Sequence, residues 1–137
     1  IMALPNGAGG YQVGDGNLNE LTIGYSAAPV TATSTATLTV AQVLGEYLVA
    51  NPGSSTAATY TLPTAAAIDA VLTSAKVGST FTLNVINIGT SSGTATLALG
   101  TGITDGGNAL VVVAVTASAQ FTFRKTGDAA YSVYKTA

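Results

Sequence analysis

The chain has 137 residues, with four basic and six acidic side chains and no histidine, cysteine or tryptophan. Those absences remove the groups that carry most proton-transfer, nucleophilic and soft-metal chemistry. The acids at Asp15, Glu20, Glu46, Asp69, Asp105 and Asp128 stand singly rather than in clusters, and the net charge of −2 with one adjacent basic pair, Arg124-Lys125, argues against nucleic acid as a partner.

Residues 1–25 read as an extended N-terminal arm, rich in glycine (Gly7, Gly9, Gly10, Gly14, Gly16) and asparagine. Leu4, Pro5, Tyr11, Val13, Leu18 and Tyr25 are its candidate contact residues for a partner. The competing reading is a disordered terminus. Asp15, Asn17 and Asn19 match the first ligands of a calcium loop, but Glu20 replaces the required glycine and Ser26 the closing glutamate. No metal or other cofactor is expected. No signal peptide reads from Met2–Gly7, and the longest strongly apolar run, Ala109 to Val115, falls far short of the ~20 residues of a membrane helix.

Residues 26–137 are expected to form one β-rich domain. Thr31 to Val40 is threonine-rich and suits a pleated surface. Tyr47–Ala50 is a short strand closed by Asn51-Pro52-Gly53, and 58–62 is another, with Tyr60 and Leu62 on one face. One helix is predicted at about 64–75, capped by Thr64, with Ile68, Val71, Leu72 and Ala75 as its apolar stripe and Gly78 as its stop. Phe81, Leu83 and Val85 share a face of the strand 80–87, and 94–99 forms the next strand. Gly100-Thr101-Gly102 resembles the start of a dinucleotide motif, but with no third glycine in place and no long helix it reads as a turn.

Leu110 to Val115 and Ala119 to Arg124 are expected to pair as a hairpin around 116–118, before a last strand at 131–135. Val111, Val113 and Val115 are candidates for the core or for a subunit interface. Seven to nine short strands at even spacing predict an all-β fold, mainly an antiparallel sandwich or jelly-roll-like barrel, with one short helix. ATLTV at 36–40 and ATLAL at 95–99 are alike, but strand composition accounts for that and no true internal repeat is read. The six tyrosines suit a core or an interface, and alternatively sugar stacking.

Several pieces occur in a recognisable order: Thr37–Gly45, Ala58–Ala67 with Leu62-Pro63-Thr64, Val77–Phe81, Val85-Ile86-Asn87, Ala98–Gly102 and Phe121-Thr122-Phe123. Over roughly 35–135 this order resembles a small domain of tailed-phage virion proteins, especially marine and cyanobacterial ones, where it serves as a capsid decoration (cement) or head-fibre module. The resemblance implies a homotrimeric knob on the outer face of the head, bound to the major capsid protein, with no enzymatic activity, no nucleic acid and no membrane among its partners. It also implies a location on the virion exterior after assembly in the host cytoplasm. A receptor- or glycan-binding fibre module is the alternative.

Overall fold

The structure is a computed structural model and describes residues 28–137. Leu4, Pro5, Tyr11, Val13, Leu18 and Tyr25, with the 15–26 calcium-loop pattern, lie outside the described residues. The described chain is mainly β, with nine strands and two short helices: β1 (Val30–Ala32), β2 (Ala36–Thr37), α1 (Val40–Leu44), β3 (Tyr47–Ala50), β4 (Ala58–Thr61), α2 (Ala65–Val71), β5 (Thr80–Asn87), β6 (Ala95–Ala98), β7 (Ile103–Gly107), β8 (Ser118–Gly127) and β9 (Ala130–Lys135).

The strands form two sheets, one ordered β1-β3-β5-β8-β9-β7 and one ordered β2-β4-β6. The chain winds. Each of the first two turns runs from a strand of the large sheet to a strand of the small one and then to a helix, and the third turn adds β5 and β6. Successive turns therefore stack in parallel, Val30 on Leu48 on Val85 in one sheet and Tyr60 on Leu97 in the other. The expected mainly antiparallel arrangement does not hold: five of the seven pairings are parallel, and only β5–β8 and β8–β9 are antiparallel. Each turn here crosses to the second sheet and re-enters the first in the same direction, and such a crossover connection is what a parallel pair requires.

The stacking also uncovers a repeat that the sequence reading misses. Leu48 pairs with Val85 and Ala58 with Ala95, a step of 37 residues in both sheets. At that step Ser54-Ser55, Ala58-Thr59 and Leu62 recur as Ser91-Ser92, Ala95-Thr96 and Leu99. The loops stack as well, Thr90 N–H donating to Gly53 O and Ser92 N–H to Ser54 O, each at 3.0 Å. Gly93 is needed there, because a Cβ would stand 1.9 Å from the Gly53 carbonyl oxygen.

Local chemistry explains the elements. Tyr60, Leu62, Leu83, Val85, Phe121, Phe123, Tyr131 and Val133 fill the core, and Phe81 stacks on Phe123 with ring centroids 4.7 Å apart. Thr64 caps α2 by accepting from Ala67 N–H. The helix ends at Val71 rather than near 75, since Leu72 leaves helical geometry and donates to Ile68 O. The strand expected over 31–40 breaks after Ala32. Thr39 and Gln42 form a reciprocal capping box that opens α1 instead, a second helix beyond the one predicted. The hairpin expected between 110–115 and 119–124 does not form. β8 pairs along its length with β5 and β9, and of the valine run only Val113 makes a bridge, to Ala95. Three consecutive valines offer apolar side chains to both faces of a strand, and this segment has a single neighbour to cover it.

Candidate functional surfaces

Five of the eight charged side chains among the described residues are grouped at one end. Asp69, Lys76, Arg124, Lys125 and Asp128 gather where β5 begins and β8 ends. There Gly78 N–H donates to Lys125 O and Lys125 N–H to Ser79 O, both at 2.9 Å. Asp69, on α2, is the centre of this group. Its Oδ1 accepts from Lys125 Nζ at 2.5 Å and Tyr131 Oη at 2.6 Å, and its Oδ2 accepts from Ala129 N–H at 2.7 Å.

The Lys125 ammonium, then the Tyr131 hydroxyl and the Ala129 amide, hold the Asp69 carboxyl down at about 2. Burial, and then the Asp69 carboxylate, push the Tyr131 phenol well above its ordinary value. Lys125 is buried and its ammonium also lies 5.4 Å from the centre of the Tyr131 ring. Both carboxylate oxygens are occupied, so the network binds α2 to the β8–β9 pair and offers no free acid or base.

The opposite end is built differently. It consists of the loops 33–35, 51–57, 88–94 and 108–117, and none of these residues is charged. Its organiser is Asn87, the last residue of β5 and 1% exposed. The two hydrogens of Asn87 Nδ2 are shared among the carbonyls of Gly93, Val113 and Ala114 at 3.0 to 3.1 Å, while Oδ1 accepts from Gly89 N–H at 2.8 Å. One side chain thus fixes two loops. One charge reaches this end from β7: the Asp105 carboxylate accepts from the Gly107 and Ala109 amides at 2.9 and 3.0 Å.

This uncharged end carries exposed aliphatic side chains: Ile88 at 49%, Leu110 at 46%, Val111 at 46% and Val112 at 51%. Of the three valines singled out in the sequence, Val113 is core, Val111 is surface and Val115 is half-buried. Shallow depressions flank the loops. One, of about 450 Å³, is lined by 33–35, 51–53 and 56–58, and its walls are hydroxyls, amides, backbone and small apolar groups.

Among the described tyrosines, Tyr60 and Tyr131 are core residues, and Tyr60 Oη donates to Thr33 O at 3.2 Å. Tyr47 and Tyr134 are half-buried, and the Tyr134 ring lies over Gly106 of the segment 104–108, where a Cβ would stand 2.3 Å from it. Gly100-Thr101-Gly102 is a turn, as read. It docks on the start of α2, Ala65 N–H donating to Thr101 O, and a Cβ at Gly100 would stand 2.3 Å from Pro63 O. Among the described residues no three of His, Cys, Asp or Glu are grouped to hold a metal ion, and no helix is long and apolar enough to cross a membrane. The chain was compared with family models, curated proteins and solved structures, and nothing matched.

Sequence reasoning missed Asn87 and the Asp69 network. Asn87 sits in Val85-Ile86-Asn87-Ile88-Gly89, where a polar side chain on the inward face of an apolar strand was the available signal. The network joins residues 56 and 62 apart, and nothing local connects them.

Proposed function

We propose that this chain is a virion structural protein, a capsid decoration or cement subunit. In this reading it binds the outer face of the major capsid protein lattice and stabilises the head, acting as a homotrimer on the capsid exterior. The observation that carries the reading is the contrast between the two ends. The most perturbed carboxylate among the described residues is committed to holding the fold together, and the loop end offers aliphatic side chains on an uncharged background. Such a surface works by fitting against protein. Binding only the mature lattice would favour that lattice by mass action. The two sheets around one core support reading the body as a sandwich, and its parallel turns speak for a wound sandwich over a jelly roll.

The N-terminal residues Leu4, Pro5, Tyr11, Val13, Leu18 and Tyr25 are assigned to contact with the shell. The test is co-purification with intact particles and the copy ratio to the shell subunit. Hundreds of copies per particle are expected for cement, on the order of the lattice positions available in a closed symmetric shell. Deleting residues 2–18 should abolish attachment and leave the β body folded, and a truncated chain that still decorates at full occupancy would refute the arm's role. A receptor- or glycan-binding fibre module is the second reading, and a few copies per particle with measurable sugar binding would favour it. That reading expects exposed tyrosines clustered near 51–57, 89–93 or 104–108, and the half-buried Tyr134 beside Gly106 is a single ring rather than a cluster.

A further inference from the structure

We propose that the depression on the outer face of the large sheet, between Tyr47, Asn84 and Gln120, binds an uncharged saccharide. The inference goes beyond decoration, and it gives the glycan-binding alternative a place on the sheet rather than among the loops. The depression holds about 360 Å³ and is lined chiefly by Tyr47, Asn84, Ile86, Ser118, Gln120 and Ala137. Small-molecule sites span roughly 300–1,000 Å³, and this one lies near the lower end.

The register makes these residues one surface. Tyr47 of β3 stands opposite Asn84 of β5, Asn84 opposite Gln120 of β8, and Ile86 opposite Ser118. Leu48, Leu83, Val85, Ala119 and Phe121 alternate with them and fill the core, so all five side chains point outward. Ala137 closes one side, accepting from Gln120 N–H at 3.1 Å.

The chemistry of the lining selects the ligand. Asn84 Nδ2 reaches Glu46 O at 3.4 Å, and Gln120 Oε1 lies 3.3 Å from the Thr136 hydroxyl. Asn84 Oδ1, Gln120 Nε2, Ser118 Oγ and Tyr47 Oη make no hydrogen bond among the described residues. An amide both donates and accepts, as every sugar hydroxyl does. The half-buried Tyr47 ring adds a flat apolar surface with a polar edge, which suits the C–H face of a sugar ring. No lining side chain is ionised, so none is there to pair with a phosphate, a sulfate or an ammonium group. A peptide strand would need a free sheet edge, and β3, β5 and β8 each have neighbours on both sides.

The test is titration of the full chain, with no particles present, by uncharged hexoses, N-acetylhexosamines and their disaccharides, read by ligand-observed NMR and calorimetry. Glucosamine and glucuronate are the charged counterparts. The uncharged sugars should bind with a Kd of about 1 mM or tighter, and the charged ones more weakly. Asn84→Ala and Gln120→Ala should each weaken binding about tenfold, since each removes one hydrogen-bonding amide. S118W fills the depression from an exposed position and should abolish binding. Thr56→Ala, in the separate depression lined by 33–35, 51–53 and 56–58, should bind as the wild type does. Circular dichroism and thermal melting show which of the three depression variants are folded, and the folded ones decide. A wild type that binds no uncharged sugar, binding that persists in these variants, or a preference for the charged counterparts overturns the inference. So does binding lost only in Thr56→Ala, since the sugar then sits among the loops. A free chain that binds no sugar leaves decoration standing, and one that binds sugar but never co-purifies with particles refutes decoration alone.

Discussion

Lys125 and Tyr131 face each other across the β8–β9 pairing and donate to the same oxygen of Asp69, at 2.5 and 2.6 Å. The acceptor comes from a helix and the two donors from neighbouring strands, so a single carboxylate closes one end of the β body. The energetic consequences can be measured.

The first concerns pH. The Asp69 carboxyl sits at about 2 against an ordinary value of 3.8, so between those values the unfolded chain binds more protons than the folded one. Stability rises with pH in that window. The contribution is complete above the unfolded value and is lost as pH falls through the folded one. Denaturant melts at a series of acid pH values should show this loss, and D69N should flatten it. An unchanged acid profile in D69N would show that other carboxylates govern acid unfolding.

Tyr131→Phe keeps the ring in the core and removes one donor to a charged acceptor. It should cost about 1–2 kcal/mol in unfolding free energy. Combined with Lys125→Met, the effects should be non-additive, since both act on one oxygen. A double-mutant cycle by chemical denaturation checks both statements, and strict additivity would mean the two donors act separately.

Asn87→Ala should cost about 3 kcal/mol or more, because the carbonyls of Gly93, Val113 and Ala114 and the Gly89 amide lose their shared partner. Asn87→Asp should be worse near neutral pH than in acid. A carboxylate would face three carbonyl oxygens, so its folded pKa must rise and the variant loses stability as pH increases. Equal cost at both pH values would contradict that geometry.

Thr116 stands in left-handed backbone at φ 55°, a conformation that a β-branched residue adopts at a cost. Thr116→Gly should raise stability by about 1 kcal/mol and shift the melting temperature upward by a few degrees. A lower melting temperature would show that the Thr116 hydroxyl bond to Val115 O outweighs the backbone strain.

Much of the local structure was legible. The alternation of Phe81, Leu83 and Val85 identifies β5, Asn51-Pro52-Gly53 closes β3, and Thr64 marks the start of α2. Thr39-Val40-Ala41-Gln42 carried the signal for α1, but surrounding threonines read as strand. Which strands pair was not legible, because Leu48 meets Val85 only through the winding of the chain, and no neighbouring residue records it. The valine run at 111–113 shows the same limit from the other side: despite its strong strand propensity it pairs only through the single Val113–Ala95 bridge. Of the candidate surface, only Val111 was singled out beforehand, and Ile88 joins it through the placement of Asn87.

The 37-residue step has a bearing on how such a body can change size. Its inner rows are continued from one turn to the next by equivalent residues, so the unit of growth is a whole turn and not a single strand or loop. A chain carrying residues 48–84 twice in succession would set Leu48 upon Leu48 and Ala58 upon Ala58 before rejoining Val85 and Ala95. Its circular dichroism should stay β-rich and its unfolding cooperative. A broader molecule would then arise by duplication: the sheets gain strands side by side, the charged end gains a second Asp69 and Lys76, the uncharged end gains a second 51–57 loop, and the distance between the two ends stays that of one strand.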